Sequence, residues 1–256
     1  MKKVYDTINQ YCVEHELLTN GDGIVIGLSG GMDSVCLLQV LAALRNEWQL
    51  RLVCVHVHHG IRGTAADEDA AFAQRLAAKY NISFRLYEMD IPQLAKEQGL
   101  SEEEAGRNYR YRCFEEVRKE LNFDKIAVAH HRDDQAETVL WQILRGSGLR
   151  GVCGMRAGRA NIIRPLLCLD RQQIEQIVRG NGDGWREDAT NREEKYTRNK
   201  IRNRVFPYIE QEIQPMARRH LVELAEDCQR AWDYIERQML EQYERLVYRD
   251  GDTFCF

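Results

Sequence analysis

Ser29-Gly30-Gly31-Met32-Asp33-Ser34 is the stretch of this chain best suited to hold phosphate. Its two adjacent glycines let the backbone turn sharply and aim N–H groups at one point. The helical pattern that starts just after them adds the partial positive charge of a helix N-terminus, and Ser29 and Ser34 contribute hydroxyl donors. The spacing is neither a Walker A loop, whose lysine is missing, nor a Gly-x-Gly-x-x-Gly turn. Asp33 is the discordant member, because a carboxylate repels an anion. A magnesium ion between Asp33 and the phosphates removes the conflict, since magnesium is commonly held by one or two carboxylates beside substrate phosphates. The plainer alternative is a glycine-rich turn in which Asp33 caps the next helix.

Other residues of chemical interest lie further along. Asp134 and Glu137 are three apart at a helix start and so share a face. Arg107 and Arg110 share a face in the same way, and their forked guanidinium groups suit phosphate or carboxylate oxygens; pairing with Glu103 or Glu104 on a solvated face is the alternative. Histidines gather in two runs, His56, His58 and His59, and His130 with His131. Together with Asp133 and Asp134 they could form a binuclear metal site, which would make a metal-dependent phosphodiesterase. Against that, neighbouring His58 and His59 face opposite ways on a strand, and the glycine loop is left without a purpose. Lys195, Arg198, Lys200, Arg202 and Arg204 place five basic groups in ten residues, with Tyr196 among them and Trp185 nearby. That composition suits phosphate tracking and base stacking, or else forms a solvated helix face.

These residues need a scaffold, and the chain supplies an alternating one. Apolar or β-branched runs at 23–28, 50–57, 83–87, 125–129 and 161–167 alternate with helical periodicity at 33–46, 65–80, 102–121 and 134–145. The alternation predicts an α/β fold, a doubly wound, mostly parallel five-stranded sheet with right-handed crossovers. Continuously apolar strands such as Ile24-Val25-Ile26 fit a sheet covered on both faces. Ser101 with Glu104 predicts a capping box, and Asp170 with Gln173 a weaker one before a helix at 171–179. Residues 213–248 read as helical, with Leu221, Leu224, Ala225, Cys228, Trp232, Ile235 and Met239 as a core-packing stripe.

Composition narrows the class. In 256 residues, 36 Lys and Arg against 40 Asp and Glu give a net charge of −4, which excludes a uniformly basic nucleic-acid coat. The balance is local: residues 145–204 hold 14 basic and 7 acidic side chains, so a basic segment of just under a quarter of the chain sits in an acidic background. No two of the eight cysteines are closer than 15 residues, so no Cys-x-x-Cys serves zinc, iron–sulfur or dithiol chemistry. The N-terminal Met-Lys-Lys-Val-Tyr-Asp is followed by no apolar run of signal-peptide length, and no run of 18 apolar residues spans a membrane. The expected location is cytoplasmic.

Ser-Gly-Gly-x-Asp-Ser after a first strand resembles the pyrophosphate loop of the N-type ATP pyrophosphatases, which cleave ATP between the α and β phosphates and adenylate a carbonyl oxygen. Further segments resemble one branch, the tRNA(Ile)-lysidine synthases: Val55 to Gly63, Glu104 to Tyr111, Ala129 to Thr138, Arg145 to Gly151, Arg164 to Leu167, Trp185 to Asp188 and Tyr196 to Arg202. They run in the family's order from about residue 23 to 207. Departures are His58 where Asn is common, Gly106 where Ala is usual, and a varied Asp188-Ala189-Thr190-Asn191.

The resemblance implies an adenine nucleotide alpha hydrolase type of Rossmann-like fold. It implies a catalytic domain over 1–207 and, over 208–256, a helical extension or the start of a truncated C-terminal domain. The implied reaction is ATP-dependent ligation of free L-lysine to the wobble cytidine of tRNA(Ile) with a CAU anticodon, giving AMP and pyrophosphate. ATP would lie on Ser29, Gly30, Gly31, Met32, Asp33, Ser34 and Arg107, with its adenine on the main chain of Val55, His56 and Val57. Magnesium would bind Asp33 through the phosphates. Asp134 and Glu137 would grip the lysine ammonium and take its proton, or join Asp33 on the metal. Arg107, Arg110, His130 and His131 would contact lysine or phosphate, and Lys195, Arg198, Lys200 and Arg202 the tRNA. A thiolation-type tRNA-modifying ligase is the same-fold alternative. A homodimer is left open.

Overall fold

The computed structural model describes residues 2–58, 64–187, 197–250 and 253–255. They divide into two compact units, Met1–Arg132 with Ala157–Thr190, and Asp133–Arg156 with Asn191–Phe256. In chain order the first unit holds α1 (Lys2–Glu14), β1 (Gly23–Gly27), α2 (Met32–Leu44), β2 (Arg51–His58), α3 (Thr64–Lys79), β3 (Ser83–Glu88), α4 (Ile91–Gln98), α5 (Glu102–Glu120) and β4 (Lys125–Ala127). Next come α6 (Arg132–Leu144) and α7 (Leu149–Val152), which belong almost wholly to the second unit. The chain then adds β5 (Gly158–Arg159), β6 (Ile162–Ile163) and α8 (Arg171–Asn181) to the first.

The strand order of the first unit is β3-β2-β1-β4-β6-β5. All pairings are parallel except β5 with β6. The expected doubly wound, mostly parallel sheet is present, with six strands in place of five. The sixth, Gly158–Arg159, turns back on β6 around Ala160 at φ +51°; two residues carry no periodicity to read.

Both faces of the sheet are covered, and side-chain alternation explains how. Ile24, Ile26 and Cys54 enter one core with residues of α1, α2, α3 and α8, while Val25, Val53, Val55 and Val57 enter another with residues of α4 and α5. Ser101 Oγ caps α5 by accepting the Glu104 N–H at 3.2 Å. Asp170 and Gln173 form a complete capping box at α8, with both bonds near 3 Å. That box is stronger than its sequence promised.

The described residues of the second unit are helical apart from one antiparallel strand pair. They comprise α6, α7, α9 (Thr197–Lys200), a π-helical turn at Ile201–Val205, α10 (Phe206–Glu212), α11 (Ala217–Leu246) and the antiparallel pair β7 (Tyr248–Asp250) and β8 (Thr253–Cys255). Ala136, Ile201, Phe206 and Val222 form its core. The apolar stripe of α11 is core only near its start. Ala225 is buried and Leu221, Cys228 and Trp232 are half-buried, but Leu224, Ile235 and Met239 are exposed. A 30-residue helix runs about 45 Å, and periodicity reports a stripe without reporting how far its support extends. Among the described residues no helix is long and apolar enough to cross a membrane.

One polar tie fastens α5 to the strand side of the sheet. Glu115 accepts two hydrogen bonds from Arg118, at 2.7 and 2.8 Å, and one from Asn161 at 2.6 Å. The Arg118 bonds hold the Glu115 carboxyl down to about 2, against about 4.3 in an unfolded chain. A depressed folded value means the stabilisation is complete above about pH 4.5 and fades as pH falls toward 2. Glu115→Gln is therefore expected to cost on the order of 1 kcal/mol at pH 7 and to lose most of that disadvantage by pH 2.5. Urea melts of both proteins from pH 7 to 2.5 measure this, and a pH-independent gap would refute it.

Candidate functional site

The loop at 29–34 leaves the C-terminal end of β1, and β4 beside it ends in the Val128–Arg132 segment. Strand order reverses between β1 and β4, the crevice where open α/β sheets bind ligands. Gly30 sits at φ +89°, where a side chain is strained. A Cβ there would also come within 3.4 Å of the Phe72 ring. The two serines hold the turn in shape. Ser34 Oγ accepts the Gly30 N–H at 3.1 Å, donates to the Gly31 carbonyl at 2.9 Å, and lies 3.1 Å from Ser29 Oγ. Gly31 N is 3.4 Å from Ser29 Oγ. Met32 opens α2 and is buried.

Asp33, in the first turn of α2, is about one-third exposed, with Nε2 of His131 at 3.7 Å and Nη1 of Arg171 at 3.9 Å. Cationic Arg171 offsets a carboxylate beside an anion seat. A single accessible carboxylate next to a phosphate loop is the share of a magnesium shell that a protein usually provides, so the residues present fit that ion. The Arg186 backbone N–H donates to the Gly30 carbonyl at 2.9 Å, and its guanidinium is held by Asp69 and Glu68 at 2.7 Å each.

His56 is buried, with Nδ1 2.8 Å from the Leu28 carbonyl oxygen, so that nitrogen carries the proton. Burial pulls its pKa below the usual histidine value, outweighing this hydrogen bond, and the ring is neutral at pH 7. It ties the end of β1 to β2. The Leu28 N–H donates to Val55 O at 2.9 Å, and Val57 continues β2 against β3. His58 Nε2 is 3.3 Å from Asp67. His59 lies outside the described residues. Among those described, no three His, Cys, Asp or Glu side chains are grouped to hold a metal. His130 is half-buried and His131 buried. Arg107 and Arg110 are exposed on α5, with Arg107 stacked 5.1 Å from the Tyr111 ring.

Asp134 and Glu137, on α6 in the second unit, do share a face and are 5% and 1% exposed. Arg198 donates from Nε to Glu137 at 2.9 Å and from Nη2 to Asp134 at 2.8 Å. Arg202 donates from Nε to Glu137 at 2.6 Å, and from Nη2 to Asp134 at 2.8 Å and Glu137 at 2.9 Å. Burial alone would lower the Arg198 pKa, but the charges of Asp134 and Glu137 hold it above the ordinary value. The two arginines expected on tRNA thus meet the two carboxylates expected on lysine. Lys200 is exposed. Lys195 and Tyr196 lie outside the described residues.

Three side chains entered without a role. Arg171 follows the Asp170 cap, Arg186 belongs to the Trp185–Asp188 segment, and Arg218 lies 4.0 Å from Glu137 while pairing with Glu210 at 2.9 Å. Only Arg186 had a motif to point to it. Three of the cysteines are unsuited to sulfur transfer: burial pushes the thiols of Cys12, Cys54 and Cys168 up to about 12, and a thiol that stays protonated is a poor nucleophile.

Comparison with known proteins narrows what this arrangement is. The PP-loop domain family matches residues 2–209. A tRNA(Ile)-lysidine synthase of Caldanaerobacter subterraneus subsp. tengcongensis is 43% identical over 98% of this chain and 53% of its own length. One from Clostridium perfringens is 39% identical with the same coverage. The chain spans about half the length of the curated relatives it matches. Among solved structures, a U34-tRNA thiolase, NcsA, from Methanococcus maripaludis superposes with a TM-score of 0.72 at 17% identity, covering 88% of this chain and 77% of that one. An NMN synthetase from Francisella tularensis gives 0.52 at 13%, covering 89% and 93%. At such identities the likeness is one of fold alone.

The loop geometry makes a direct prediction. Gly30→Ala is expected to cost about 1–2 kcal/mol of stability through its left-handed φ and to weaken pyrophosphate binding at least roughly tenfold, because the N–H array is re-aimed. Calorimetric titration with pyrophosphate measures this. Unchanged affinity in a folded variant would remove the loop as the anion seat.

Proposed function

The chain belongs to the PP-loop domain family, and from that premise we propose that it ligates L-lysine to the wobble cytidine of the CAU anticodon of tRNA(Ile) at the expense of ATP. The cytosine O2 attacks the α-phosphorus of ATP, the bond to the β-phosphate oxygen breaks, and pyrophosphate leaves. The ε-amine of lysine then adds at C2 and gives up a proton, and AMP departs with the former O2. The observation that carries this reading is the serine-braced glycine turn at the β1–β4 switch point with Asp33 beside it. The identity with tRNA(Ile)-lysidine synthases over 98% of the chain supports the choice of cytidine and lysine.

In this reading the N–H groups of Gly30 and Gly31 and the hydroxyls of Ser29 and Ser34 pass from each other to the departing pyrophosphate, stabilising charge that grows as the bond breaks. Asp33 would hold magnesium, whose chemistry when bound is to spread the pyrophosphate charge. Arg171 keeps Asp33 from repelling the nucleotide. The adenine lies on the main chain of Val55, His56 and Val57, and neutral His56 adds no charge there. Arg107 and Arg110 offer exposed forked donors to the α-phosphate or the lysine carboxylate.

The amine must shed a proton that it holds up to a pKa near ~10.4 in water. Asp134 and Glu137 supply the carboxylates that grip the ammonium and accept that proton. Lys195, Arg198, Lys200 and Arg202 are the residues that would contact tRNA phosphates. We further propose that the catalytic domain is 1–207 with a helical extension at 208–256, a division supported by the family match ending at residue 209, and that the protein works in the cytoplasm.

Labelled lysine, ATP and an unmodified tRNA(Ile) transcript are expected to yield labelled RNA together with AMP and pyrophosphate, and a wobble C→U transcript none. Asp33→Ala should abolish AMP formation with the melting temperature kept. Asp134→Asn should slow lysine transfer more than AMP formation. RNA left unlabelled while AMP accumulates equally on both transcripts would defeat the reading.

A further inference from the structure

Among the described residues, the carboxylates of Asp134 and Glu137 are already occupied by cations. Two carboxylates face two guanidinium groups, and the next cation, Arg218, brings its own partner Glu210. A lysine ammonium arriving there would crowd a further positive charge against two guanidinium groups beside buried carboxylates, which is unfavourable. Lysine can be received only if a guanidinium leaves the carboxylates or an anion arrives with it.

Accessibility shows from which side that change can come. The carboxylate side chains are 8% and 1% exposed, but those of Arg198 and Arg202 are 39% and 29% exposed. The arginines form the outer wall, where a polyanion reaches them first. The backbone beneath them has an alternative geometry within reach. Arg202 lies in the π-helical turn Ile201–Val205, whose Phe206 N–H bonds to the Ile201 carbonyl five residues back. A π-turn carries one residue more than an α-turn and is common at functional sites. Relaxing it by one residue rotates Arg202 by about 100° around the helix axis.

We infer that Arg198 and Arg202 stand in for the substrate ammonium while RNA is absent, and that RNA phosphodiester groups draw them off Asp134 and Glu137, so that lysine and RNA bind with positive coupling. The inference rests on the proposed lysine and tRNA substrates and adds their interdependence. Phosphate takes up the displaced guanidinium charge, and the ammonium replaces it at the carboxylates. Because coupling is reciprocal, each ligand must raise the affinity of the other by the same factor.

The test is calorimetric titration of the full chain with L-lysine, without ATP, alone and saturated with an anticodon stem-loop whose wobble cytidine is replaced by uridine. The expected result is a lysine Kd at least roughly tenfold lower with RNA, and an equal gain in RNA affinity with lysine. Arg198→Gln and Arg202→Gln, made singly, should bind lysine more tightly than the parent without RNA and lose most of the coupling. Since either variant could unfold, the Nε–H resonances of Arg198 and Arg202 in the unaltered protein give a second readout and should shift on RNA addition. Equal lysine affinity with and without RNA, or resonances that stay put, would overturn the coupling alone and make the cluster a structural clamp. No lysine binding in either state would overturn it together with the substrate reading.

Discussion

A central parallel strand covered on both faces can present chemistry only at its ends, and the first unit is organised around that restriction. β1 pairs with β2 on one side and β4 on the other, so its side chains are spent on two cores and its backbone on two ladders. What remains is the turn that follows. There the chain must reverse within a few residues and enter α2, and Gly30 makes this possible by adopting φ +89° against the Phe72 ring. The serine hydroxyls then hold the N–H groups in place, which lowers the ordering cost of binding an anion. The His56 bond to Leu28 and the Arg186 bond to Gly30 fasten the same turn from two further elements.

Much of the fold could be read because burial on two faces leaves a strong trace. Runs such as Ile24-Val25-Ile26 cannot be surface, and their alternate side chains do fill different cores. Strand and helix order followed directly. The failures share a cause: they concern how far an element's surroundings extend. β5 is two residues pairing through a turn at Ala160, too short for any period. The stripe on α11 is real as a pattern, but its later half outruns the small core of Ala136, Ile201, Phe206 and Val222.

The site divides along the same line. Spacing of three on a helix placed Asp134 and Glu137 on one face, and local glycine chemistry picked out the loop at 29–34. Spacing says nothing about a counterion 61 to 68 residues away, which is the separation of Arg198 and Arg202 from those carboxylates. Arg198 and Arg202 were read from the density of positive charge around them, a property of the segment, whereas their partners are a property of the fold. Arg171 and Arg218 carried no local mark, since a lone arginine on a helix is the commonest of surface residues.

The arginine cluster is a poor device for stability alone. Drawing two carboxylates out of water costs several kcal/mol each, and apolar side chains of similar volume would often do as well or better. A cluster kept under that cost is most economically explained by a need for charge at that place. Arginine rather than lysine suits the outer position, because a guanidinium binds carboxylate and phosphate with the same forked edge and stays charged in both settings. A lysine there would resemble the proposed substrate too closely and could lose its proton on burial. The same argument applies beneath the guanidinium groups: Asp134 and Glu137, buried as they are, need a cation beside them, and the resident arginines supply it.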